Sequence, residues 1–157
     1  MKHAEGFNGD GLRYETSLNQ VQDILFLSDG TAWVSDFNNH LLRTVSPSGE
    51  VSSVVGWTDP IFPGDGPFGG TPEEGAPGSE WQLFHPTGLA LGHDGAIIAV
   101  GWHNHKILTI DPNSGWVNVL AGGAGEAGRS GFDGDGGPAS LALFNQPSDV
   151  ALEHIAA

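Results

Sequence analysis

Apolar residues along this chain fall into runs of five or six, each closed by Asp-Gly, an Asn-rich stretch, or Pro and Gly. The runs predict short strands at about 23–28, 31–35, 41–46 and 50–55, and again at about 88–92, 96–100, 106–111 and 116–121. Val, Ile, Leu and Trp dominate them, as expected of residues that pack well on a pleated surface. No segment sustains the 3.6-residue period of an amphipathic helix. The pattern predicts an all-β chain of many short strands.

The pattern also repeats. Shifted by 65 residues, Asp29-Gly30-Thr31-Ala32-Trp33-Val34 falls on Asp94-Gly95-Ala96-Ile97-Ile98-Ala99, and Asn39-His40-Leu41-Leu42 on Asn104-His105-Lys106-Ile107. Thr44-Val45-Ser46-Pro47 falls on Thr109-Ile110-Asp111-Pro112. Turn residues and apolar residues coincide together, so a structural unit recurs rather than a composition. A third copy begins late: Gly131-Phe132-Asp133-Gly134-Asp135-Gly136 repeats Gly6-Phe7-Asn8-Gly9-Asp10-Gly11. Asn145-Gln146-Pro147-Ser148-Asp149-Val150 repeats Asn19-Gln20-Val21-Gln22-Asp23-Ile24. The copies span about 6–56, 63–122 and 131–153, within one segment over 1–157, and the third is expected to contribute a single strand at 148–152.

Four short antiparallel strands per unit, repeated at this period, describe the blade of a β-propeller. A parallel β-helix is the runner-up, but its coils would be shorter and would lack the four-strand rhythm. The order Pro-x-Gly-Leu-Ala, Asp-Gly, Val-x-Asp-x-x-Asn-His-Leu, Pro-x-Gly-x-Val resembles the NHL repeat, and Asn39-His40-Leu41 spells its name. The segment 131–139 is similar to the inter-blade loop of bacterial and extracellular members, which slightly favours an extracytoplasmic setting. The resemblance implies six-bladed closure. Two and a quarter blades cannot close alone, so the reading is an incomplete propeller: either a fragment of a six-bladed one, or a chain that closes by homo-oligomerisation. Trimers are then more natural than dimers. One departure stands out. The family's Asp after the second strand is Asp36 in the first copy but Gly101 in the second, so that turn is expected to be looser or reshaped.

Charge narrows the partners. With 5 Lys+Arg against 19 Asp+Glu, the formal charge is −14, which repels phosphate backbones and argues against nucleic acid. There is no cysteine, so disulfides, thiolate catalysis and Cys-ligated zinc are excluded. No apolar run approaches 18 residues, so no membrane-spanning helix is expected.

The candidate chemistry lies in loops, where a rigid scaffold can hold functional groups. The turn between a blade's second and third strands shares a face with the inter-blade connection, placing Phe37, Asn38, Trp102, His103 and Asn104 on one candidate binding face. Asp133-x-Asp135-Gly136 spaces two carboxylates as calcium loops do, but Asn8-x-Asp10 and Asp65 offer no bidentate Glu, so these are weak metal candidates and no cofactor is expected. His103-x-His105 could present two zinc ligands on one side of a strand, yet His105 falls in register with the repeat residue His40. Serines sit in turns, without a nucleophile elbow. The sequence therefore points to a non-catalytic binding or scaffold module for a protein or glycan. The alternative is part of a propeller enzyme, a lyase or hydrolase, whose other blades lie elsewhere.

Overall fold

The computed structural model describes residues 6–58, 64, 75–123 and 129–153. The loop residue Asp65 lies outside them. The chain forms two five-stranded antiparallel sheets of the β-propeller-blade type. The first comprises β1 (Gly11–Leu12), β2 (Val21–Phe26), β3 (Ala32–Asp36), β4 (Leu41–Val45) and β5 (Glu50–Val55), in the order β1-β5-β4-β3-β2. The second comprises β6 (Ala76–Pro77), β7 (Pro86–Leu91), β8 (Ile97–Gly101), β9 (Lys106–Ile110) and β10 (Trp116–Ala121), in the order β6-β10-β9-β8-β7.

All eight expected strands are present, with bounds shifted by two residues or fewer. Each sheet gains a two-residue outer strand that the sequence concealed. Gly11 and Leu12 pair with Val51 and Glu50, and Ala76 and Pro77 with Val117 and Trp116. Two residues cannot display alternation, so no pattern could announce them. The ninth expected strand is corrected: residues 148–152 form no strand. A strand requires a ladder of backbone partners. This segment instead lies against the side of β7, where a Cβ on Gly88 would stand 2.9 Å from Asp149 Cα.

The two sheets share one apolar core. Trp33, Leu42 and Val55 of the first pack with Leu89, Ile97, Leu108 and Val117 of the second, and Trp81 and Leu83 of the connection are buried with them. Among the described residues the opposite face of the first sheet has no such neighbour. Leu18 and Ile24 are 41% and 50% exposed, whereas Leu83 and Leu89, 65 positions on, are 1% and 7% exposed.

The first sheet buries charge where the second buries hydrocarbon. Arg43 and Asp36 are fully buried and paired at 3.3 Å. Arg43 also donates to Gly9 O, Ser17 O and Asp10 Oδ1, with the Phe7 ring 5.0 Å from its guanidinium carbon. Sixty-five residues on, the corresponding pair is Leu108 and Gly101.

Asp36 also anchors the chain entering its blade, because its Oδ1 accepts the Asn19 N–H at 2.7 Å. In the second sheet Asn104 Oδ1 takes that part, accepting the Phe84 N–H at 2.9 Å. The carboxamide fits because Gly101 has no side chain, since a Cβ there would stand 2.5 Å from Asn104 Oδ1. The turn at Gly101 is thus reshaped around a replacement acceptor.

Candidate functional site

The turns 37–40 and 102–105 project from the same end of the two sheets, beside the entries to β2 and β7. Backbone bonds fix them there: the Asn38 N–H donates to Asn19 O, and the Trp102 and His103 N–H groups to His85 O and Phe84 O. Between the turns, six rings form a continuous layer across the seam. Phe37 stacks on His85 at 4.3 Å, and Trp102 on His103 at 4.2 Å. Phe84 meets His103 at 4.8 Å and His40 at 5.5 Å in edge-to-face contacts. His85 and His103 bring their Nδ1 atoms to 2.7 Å, one donating and the other accepting.

Of the residues expected on this face, Phe37, Trp102 and His103 join the layer and are half-buried. Asn38 is exposed and donates to Gln20 Oε1 at 2.8 Å. Asn104 is fully buried and works inside the turn, also donating to Gly64 O. Sequence reasoning missed His40, Phe84 and His85 as members. A signal existed, because Phe84-His85 occupies the place of Asn19-Gln20 in the repeat.

The repeat histidine has a structural role at each seam. His40 Nδ1 accepts the His85 N–H at 3.2 Å, and His105 Nδ1 accepts the Gln146 N–H at 3.1 Å. An accepting Nδ1 fixes His40 as the neutral tautomer protonated on Nε2. The donating residues His85 and Gln146 have left-handed backbone, with φ of 58° and 54°, as has Gln20 at the matching place in the first blade, with φ of 59°.

Electrostatics disfavour charge on His40 and His85. Burial, and then the His103 imidazole, hold His40 below its ordinary pKa. Burial, His40 and His103 lower His85 to about 4. A histidine whose pKa is lower in the folded state binds fewer protons folded than unfolded at intermediate pH. Its stabilising contribution is therefore complete above the ordinary value near 6.5 and is lost as pH falls from there towards 4. The melting temperature is expected to fall over this window, and to fall less in His85→Gln, which installs the residue found at positions 20 and 146. Thermal unfolding at pH 7.5 and pH 4.5 checks this, and equal drops in both proteins would refute it.

Several of the metal candidates have other hydrogen-bond partners. Asp133 Oδ1 accepts the Gly134 N–H. In the matching loop of the first sheet, Asn8 binds Glu15 O and the Ser17 N–H, while Asp10 holds Arg43 and Ser53. His103 and His105 turn to different partners, His85 and Gln146. Among the described residues no three His, Asp or Glu side chains come together as metal ligands would. No described helix is long and apolar enough to cross a membrane.

No protein-family model matches the chain. It is 29% identical over 121 residues to the chloroplastic protein Suppressor of Quenching 1 of Arabidopsis thaliana, covering 77% of this chain and 11% of that protein. Among solved structures, a structural-genomics protein of unknown function from Bacteroides thetaiotaomicron matches 80% of this chain and 28% of its own, with TM-score 0.58 and 21% identity. Virginiamycin B lyase from Staphylococcus aureus matches 64% of this chain and 26% of its own, with TM-score 0.44 and 15% identity. The likeness to the Bacteroides protein supports the fold alone. The chain spans a small part of each protein it resembles.

Proposed function

We propose that this chain is a segment of an NHL-type propeller that binds rather than catalyses, taking a protein or glycan ligand on the face carrying Phe37, Trp102 and His103. One observation carries the reading: the aromatic–imidazole layer spans two blades and is held by backbone hydrogen bonds, so it offers a preformed surface. Half-buried aromatic rings supply contact area at little entropic cost, which suits recognition. Neutral histidines beside them add hydrogen bonding without charge.

The test is a panel of oligosaccharides and peptides screened against the native chain and the Phe37→Ala/Trp102→Ala variant. A ligand of this face loses at least tenfold in affinity, on the scale of an interfacial hot spot, while the circular dichroism spectrum is unchanged. Failure of the native chain to retain any panel member, or equal retention by both proteins, would overturn the reading.

A further inference from the structure

At the opposite end of the seam from the ring layer, the turns closing β2–β3, β4–β5 and β9–β10 surround a recess of about 350 Å³. Its walls come from both blades: Leu27, Val54 and Ser52 from the first, and Pro112 and Asn113 from the second. Leu27 and Val54 are partly buried extensions of the seam core, so the recess offers hydrocarbon as well as polar groups.

Asp29 and Glu50 also line it, and their carboxylates differ in availability. Asp29 is committed, its oxygens accepting from the Thr31 N–H at 2.8 Å and the Thr31 hydroxyl at 3.1 Å. The exposed Glu50 carboxylate has no hydrogen-bond or ion-pair partner among the described residues. Arg13, whose side chain lies beside Gly49, forms no ion pair with it. The chain as a whole carries −14 with only five Lys and Arg residues, and Arg43 and Lys106 are buried.

Apolar surface beneath an unpaired carboxylate matches a side chain with a hydrocarbon stem and a cationic head. We propose that this recess receives a lysine or arginine side chain of a partner protein, its stem on Leu27 and Val54 and its cation between Glu50 and Asp29. Both walls lie inside the chain, so the site does not depend on further blades. It is also independent of the ring layer at the other end, which leaves each end free to engage its own ligand.

The probes are the blocked tripeptide acetyl-Gly-Arg-Gly-amide and its norleucine analogue, titrated into the ¹⁵N-labelled chain. The arginine peptide is expected to shift the amides of Thr31, Ser52 and Asn113 in a saturable way, and the norleucine peptide to leave them in place. Glu50→Gln should weaken binding at least fivefold, and Glu15→Gln, which removes the same charge from an exposed position elsewhere, should not. Absent shifts would overturn the proposal. So would equal weakening by both variants, which means diffuse attraction to an acidic protein.

Discussion

Replacing Arg43 with leucine is expected to cost about 3–5 kcal/mol, the typical penalty for breaking a buried ion pair from one side. The guanidinium neutralises Asp36, a fully buried carboxylate whose remaining donors are the Asn19 N–H and the Asn39 amide. Removing the cation leaves that charge without water or a counter-ion. The second blade shows how the site can be rebuilt, since Leu108 and Gly101 stand there with Asn104 taking over the vacated backbone donor. Asp36→Gly added to Arg43→Leu should therefore recover at least half of the loss, with Asn39 moving as Asn104 has. Urea unfolding of the two single variants and the double variant measures the coupling. Additive losses would show that the charged and apolar arrangements are not alternatives.

Gly78→Ala is expected to destabilise by about 3 kcal/mol, towards the upper end of what overpacking costs, lowering the melting temperature by roughly 10 °C in a chain of this size. Gly78 is wedged between β5 of the first blade and the turn entering β10 of the second. A Cβ there would collide with Val54 O, stand 2.8 Å from Gly115 O and 3.0 Å from Val55 Cγ2. Two of these are backbone atoms, and they cannot yield without opening the seam. The control is Gly95→Ala. Gly95 has φ of +86° but open space around it, so the cost is backbone strain alone, about 1 kcal/mol. A Gly78→Ala variant no less stable than Gly95→Ala would mean that the outer edge of the seam is slack.

The strands are legible in the sequence because each apolar run is short, closed by turn residues, and present twice. Trp33 is readable as core for the same reason, and it is 1% exposed. The binding face is legible in part. Strand order places Phe37, Trp102 and His103 at one end, but nothing local shows that Phe84 and His85 fill the gap between them, since that contact joins residues some twenty to fifty positions apart. Asn104 misleads because a turn asparagine is ordinarily exposed, whereas the missing carboxylate at Gly101 draws this one inward. Arg43 escapes notice for a related reason. A cation inside an apolar run looks like a solvent-facing residue, and only a joint comparison of positions 36 and 43 with 101 and 108 exposes the pairing. The strand expected at 148–152 fails because sequence similarity transfers an element but not its ladder partners.

The seam carries one further consequence. Three amide protons cross it at well-separated places: His85 to the His40 imidazole, Leu89 to the Asp23 carboxylate at 2.7 Å, and Gly56 to Gly78 O at 3.0 Å. None belongs to a ladder within either sheet, so none is released by fraying a single strand. All three become free together when the blades part, and hydrogen exchange at these amides reads one opening event. Protonating His40 removes the acceptor for only one of them. Acid is therefore expected to speed exchange at the His85 amide while leaving exchange at Leu89 and Gly56 unchanged.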